Sequence, residues 1–165
     1  MPTEPGGQGT AASIVSPVPT PFVPDDFEVP LQLATHWFRL ESLGPQHNDR
    51  DHEAWMSSIA HIRATPGFLD GRCPTEMSAE QNLADLVGHA GDFAARTGFT
   101  YSVLDGDEVI GCVYLYPAND GEHDAGAQSR VRASRAELDV VLWEMVRSWL
   151  AEAWQFQHPL YEPRR

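Results

Sequence analysis

Three of the chain's eleven arginines, Arg130, Arg132 and Arg135, fall within six residues of the run "RVRASRAELD" at 130–139, and the chain contains no lysine. The guanidinium fork matches the geometry of carboxylates and phosphates. The run also carries Ser134 and Glu137 at the spacing of a capping box, which places a helix start there. Cations in the first turn of a helix work against its dipole by about 0.3–1 kcal/mol each at exposed sites, whereas anions are favoured there. Something must therefore offset these arginines. Either acidic side chains such as Glu137 and Asp139 neutralise them on a solvated face, or Arg130, Arg132 and Arg135 hold a phosphate-bearing ligand. In a strand Arg130 and Arg132 share one face and Val131 takes the other, so Val131 reaches the core while its neighbours meet solvent or ligand.

The remaining reactive side chains are less patterned. The chain has seven histidines, but no H-E-x-x-H or Cys-x-x-Cys spacing occurs, and no metal is expected. His61 and Arg63 precede "TPGF" at a helix end, where they either complement the dipole or contact a substrate group. Ser57 and Ser58 lack the G-x-S-x-G context of a hydrolase nucleophile. Trp143, Trp149 and Trp154 read as core and interface aromatics. Cys73 and Cys112 are too few for a disulfide framework and read as reduced thiols.

The elements that must position these residues are legible in outline. At 165 residues the chain is long enough for one domain with its own core. Its net charge of -13 repels nucleic acid and anionic lipid, and no apolar stretch is long enough to span a membrane. The chain reads as cytoplasmic. Residues 1–34 form a Pro/Gly-rich stretch without period, expected to be a disordered tail, and the domain is expected over residues 35–165. "HWFRLESL" reads as a short strand. One helix is expected from Asn48, with Trp55, Met56, Ile59 and Ile62 on one face before Pro66 and Gly67. A second begins at the capping box Ser78–Gln81, with Leu83, Leu86, Val87, Ala90, Phe93 and Ala94 as its buried stripe and Gly98 as its stop. "FTYSVLDGDEVIGCVYLYP" predicts a hairpin turning at Asp105-Gly106. A weaker strand near Gln128–Arg132 leads into a third helix with its stripe running from Leu138 to Ala153, and "QHPLYEP" can add a last short strand.

That order, with the h-h-G-h-h pattern around Gly111 in "YSVLDGDEVIGCVYLYP", resembles the GNAT N-acetyltransferase superfamily. "HNDRDHEAWMSSIAHIRATPGF" is similar to a bacterial group of GNAT-like proteins, and the likeness covers roughly residues 36–161. It implies an α+β fold: a mixed, mainly antiparallel sheet flanked by about three helices, here short of the usual C-terminal elements. It also implies an N-acyltransferase that moves an acetyl or other acyl group from acetyl-CoA or another acyl-CoA to an amine acceptor. In the superfamily the CoA pyrophosphate sits on a Q/R-x-x-G-x-G/A turn. Here the corresponding residues are Arg132 to Glu137, with Ser134, Arg135 and Ala136 inside the turn and neither glycine present. The resemblance further implies a backbone N–H near Val131 that polarises the thioester carbonyl, an acceptor site bordered by His61 and Arg63, and a C-terminal tyrosine, here Tyr161, as acid toward the leaving thiolate. The missing glycines keep two other readings open. One is a catalytically degenerate GNAT-like binding module, and the other a dimerisation domain whose terminal strand pairs with a second copy.

Overall fold

A computed structural model describes residues 21–164. The expected hairpin is its centre. Strand β3 (Phe99–Asp105) and strand β4 (Glu108–Tyr116) pair antiparallel around Asp105-Gly106, where Gly106 takes the left-handed φ of 58° that the tight turn requires. Two short strands precede them, β1 (Gln32–Ala34) and β2 (Arg39–Ser42), and β5 (Ala125–Val131) follows. The last strand, β6 (Pro159–Tyr161), lies parallel to β5, and the sheet order is β1-β2-β3-β4-β5-β6 with every other pairing antiparallel. The α+β architecture is thus the one expected.

Helix α4 (Asp139–Ala153) covers one face of the sheet. Leu142, Val146, Trp149 and Leu150 from its stripe are buried against Phe99, Tyr101, Val113 and Val131. On the opposite face lie α1 (Asn48–Met56), α2 (Ile59–Arg63) and α3 (Ala79–Ala95). A bulge at Val103/Leu104 shifts the β3–β4 register by one residue, so Val109 faces α1 while Ile110 joins the α4 core.

Four local expectations change. The single helix expected from Asn48 to Ile62 is broken at Ser57–Ser58 into α1 and α2. The stripe of α3 is rotated: Leu83 and Val87 are exposed, and the buried side carries Asn82 and Leu86 with His89 and Phe93 partly covered. The cause is polar, since Asn82 accepts from Trp55 Nε1 at 2.9 Å and donates to Asp51 at 3.1 Å, turning the helix edge toward α1. The Ser134–Glu137 capping box does not form. Residues Ala133–Leu138 make a 3-10 turn with Arg135 off helical geometry, and the α-helix begins only at Asp139.

The fourth change concerns the N-terminus. Residues 1–20 of the expected 1–34 tail lie outside the described residues, but 21–34 pack on the domain. Val23 is buried, Phe22 stacks on Phe99 and Phe156, and β1 adds to the sheet. Composition suggested a tail because residues 1–30 hold seven prolines with Gly6, Gly7 and Gly9 and show no period. Side chains far along the chain order it instead: Arg96 donates to Pro24 O and Phe27 O at 2.7 and 2.8 Å, and Tyr101 donates to Pro30 O at 2.6 Å.

Deleting residues 1–30 should therefore lower the thermal midpoint by several degrees in circular dichroism, because Val23 and the partners of Arg96 and Tyr101 go with the segment. Leu142→Ala should cost about 2–5 kcal/mol in denaturant unfolding through a buried cavity. An unchanged midpoint, or a cost below about 0.5 kcal/mol, would contradict these two placements.

Candidate active site

Arg130 lies in β5, and the turn between β5 and α4 holds Arg132 and Arg135, both partly buried and already paired. Arg132 makes a two-pronged contact with Glu53 at 2.6 and 2.9 Å and lies 3.5 Å from Glu108. Arg135 donates to Asp105 at 3.0 Å and Glu108 at 2.8 Å. The hydrogen bond from Arg132 holds the Glu53 carboxyl below the usual carboxylate range. Glu137 and Asp139 are not these partners; the neutralising carboxylates come from α1 and the β3–β4 hairpin. Three of the turn's amides are used as well: Arg132 N donates to Ile110 O, Ala133 N to Ser58 Oγ at 2.8 Å, and Arg135 N to Arg132 O. Ser134 and Ala136 are exposed.

Val131 is buried toward α4, as the alternation required. Because Arg132 N faces Ile110 on β4, the amide of Val131 points the other way, to the β6 edge. On that edge β6 pairs with β5 only from Ala125 to Ala127. Beyond it, the Tyr161 hydroxyl pairs with Ser129 Oγ, and Arg164 donates to Ser129 O and Asp139, each at 2.7 Å. Tyr161 is largely enclosed beside Trp143, and burial pushes its phenol above the ordinary value.

Arg130 takes the opposite face, toward α1 and α3, in a cavity of about 260 Å³. Asp51, Asp85, His89, Tyr114 and Gln128 also line it. A second cavity of about 280 Å³ lies at the β5–β6 junction, and Tyr114 and Gln128 form a wall common to both.

His89 is the group here whose protonation is fixed by its surroundings. Burial pushes the Tyr116 phenol up to about 12, so the phenol keeps its proton, which it donates to Asp92 at 2.8 Å. The Tyr116 oxygen is then the acceptor for His89 Nδ1–H at 2.9 Å, with Thr100 Oγ1 3.1 Å from the same nitrogen. Nε2 is left as the bare nitrogen, with no hydrogen-bond partner among the described residues. Burial also holds the imidazole below its ordinary value, against the pull of Asp92, Asp85 and Asp51. A neutral imidazole with a free lone pair is equipped to take a proton from an amine. Cys112 lies beneath this cavity but is no nucleophile, since burial pushes its thiol up to about 12.

His61 and Arg63 do not line the cavity. His61 Nε2 is buried without a partner among the described residues, and Arg63 donates twice to Pro74 O, at 2.8 and 3.1 Å. Arg63 thereby holds the loop that supplies Cys73, Pro74, Thr75 and Met77 to the cavity wall. Sequence reasoning missed His89, Asp51 and Tyr116. The one signal for His89 was a polar stripe at 82, 85 and 89 on α3, interrupted by Leu86 and hidden by the stronger count of apolar residues; Asp51 and Tyr116 had none.

No family model matches the sequence, and no curated protein matches it. Solved structures do. The ribosomal-protein-S5-alanine acetyltransferase from Vibrio fischeri aligns over 75% of this chain and 69% of its own, at 12% identity and a TM-score of 0.57. An acetyltransferase from Salmonella typhimurium, which modifies the N-terminal serine of ribosomal protein L7/L12, covers 73% and 66% at 11% identity and a TM-score of 0.57. RimL in complex with coenzyme A covers 71% and 66% at 11% identity and a TM-score of 0.54. This is the GNAT acetyltransferase fold. The chain spans about two thirds of the length of each of these proteins.

NMR titration of the imidazoles should give His89 a value below 6.5 with the proton of the neutral ring on Nδ1. The unfolded imidazole then binds a proton more readily than the folded one, so stability is complete above about pH 6.5 and declines as pH falls below it. Tyr116→Phe removes the Nδ1–H acceptor and should admit the Nε2–H tautomer. A His89 value at or above 6.5 in the wild type would remove it as a base at neutral pH.

Proposed function

We propose that the protein is an N-acyltransferase that moves an acyl group from acetyl-CoA or another acyl-CoA to a primary amine seated in the Arg130 cavity. The observation that carries this reading is His89. His89 lines a cavity sharing a wall with the space at the β5–β6 junction, so a base and an acceptor pocket adjoin the edge where a donor would lie.

The residues fit the donor unevenly. Past Ala127 the β6-facing edge of β5 is not covered by a strand, and an extended chain with amide groups can pair with it once Arg164 gives up Ser129 O; Val131 N–H is the donor there that would polarise a carbonyl. The turn, in contrast, is charge-balanced. Arg132 and Arg135 would have to exchange Glu53, Asp105 and Glu108 for a diphosphate, an exchange that returns to solvent three carboxylates already open to it. A bound thioester would supply the acyl group, with the new N–C bond formed as the C–S bond breaks and CoA leaving as the thiolate, which takes up a proton from solvent or from Tyr161. His89 Nε2 takes the proton the amine gives up, and the walls around Arg130 hold the amine in place and exclude water. Tyr161 stays a candidate acid for the leaving thiolate only if its contact with Ser129 opens. His61 contributes no contact to this scheme, and Arg63 acts by positioning the wall. The free thiols of Cys73 and Cys112 accord with a cytoplasmic setting.

The consumed turn favours a second reading, a GNAT-like binding module without catalysis. Calorimetric titration with CoA separates the two. Glu108→Gln removes a carboxylate that both holds and repels, and should tighten CoA binding at least threefold over wild type. No binding by either protein at millimolar CoA would leave the module. With acetyl-CoA and an accepted amine, the rate should rise with pH along a limb below 6.5 set by His89, and His89→Gln should lower it by about 10²-fold or more.

A further inference from the structure

Arg130 is the one arginine of the 130–135 cluster that has no acidic partner. The others pair with Glu53, Asp105 or Glu108, whereas no carboxylate of the described residues comes within 4.0 Å of Arg130. It is 9% exposed and points into the cavity between α1 and α3. The rings of Phe68 and Tyr114 lie 5.9 and 5.6 Å from its guanidinium carbon. Stacking on aromatic rings offsets part of the cost of burying a cation, but it leaves the planar edge without a carboxylate to receive its N–H donors. A carboxylate is the group that matches this edge with two parallel hydrogen bonds.

The rest of the cavity sets the opposite charge against Arg130. Asp51 is buried, held by Asn82, and lines the same space with Asp85 and His89. A dianion such as a phosphate ester would face these carboxylates with only one cation to receive it. A zwitterion meets both needs, carboxylate to Arg130 and amine to the Asp51 and His89 side. The walls between are apolar, from Trp55, Met77 and Leu86, and the volume of about 260 Å³ suits a small body. The loop pinned at Pro74 by Arg63 walls the cavity, which suits a free small molecule better than the end of a polypeptide.

We propose that the acceptor is a free apolar α-amino acid whose carboxylate is read by Arg130. This deepens the acyl-transfer reading and rests on it for the fate of the amine. The binding claim is tested without a donor, so the two can fail separately.

The test is calorimetric titration of the full chain with leucine, leucinamide and 3-methylbutylamine, and with phenylalanine and phenylalaninamide, each with and without 1 mM CoA. The free amino acids should bind at least tenfold more tightly than the amide or the amine lacking the carboxylate, about 1.4 kcal/mol. Arg130→Met should erase that difference and Arg130→Lys should retain part of it, with folding checked by the melting curve. If neither variant folds, the wild-type ligand series still decides. Equal affinity for leucine and leucinamide, or no binding of any amino acid at 10 mM under both conditions, would overturn the proposal. Failure of CoA to bind while leucine binds selectively would leave this acceptor site standing and sink the transferase alone.

Discussion

Everything at the site depends on how closely β4 and β5 approach at Gly111. A Cβ at that position would lie 2.3 Å from the Arg130 carbonyl oxygen, so only glycine lets the two backbones meet there. The close pairing fixes the register Gly111↔Val131 and Cys112↔Arg130. From that register the faces follow by alternation. Val131 enters the core under α4, and Arg130 is driven through the sheet plane to the helical side, where it has rings for neighbours and no carboxylate in contact. The amide of Val131 is turned to the β6 edge by the same geometry.

The electrostatics of the two ends of β5 differ in kind. At its C-terminal end, Arg132 ties Glu53 of α1 to the turn and Arg135 ties the turn to the β3–β4 hairpin, so charge is spent on holding three elements together. Within the cavity, Arg130 and Asp51 are both buried without meeting in an ion pair. Charges arranged that way specify what can enter more than they stabilise the fold. The Asp92–Tyr116–His89 chain follows the same logic, because it settles which nitrogen of a neutral imidazole is bare.

The hairpin and the start of α3 were legible because their signals are local: a two-residue turn between β-rich runs, and a capping box that Ser78 and Gln81 form as expected. The arginine cluster was legible as a cluster, but not its partners, since Glu53 and Glu108 lie far along the chain from Arg132 and Arg135. The buried edge of α3 was misread for a related reason. Hydropathy counts Leu83 and Val87, while the positions that turn inward are Asn82 and His89, whose burial is offset by hydrogen bonds that no periodicity reports. Residues 21–34 escaped notice because what orders them is the reach of Arg96 and Tyr101 to backbone carbonyls.

The break at Ser57–Ser58 bears on the order in which the molecule assembles. Ser58 Oγ receives Ala133 N across 75 residues of chain, and Glu53 meets Arg132 across 79. Closing loops of that length costs more chain entropy than closing the hairpin, and the cost is recovered only once α1 and β5 are both in place. The β5–α4 turn is therefore expected to be among the last parts to set and among the first to open. Amides at Ala133 to Leu138 would exchange with solvent through local openings well below the free energy that protects β3 and β4, making this turn the place where the native state is most readily remodelled.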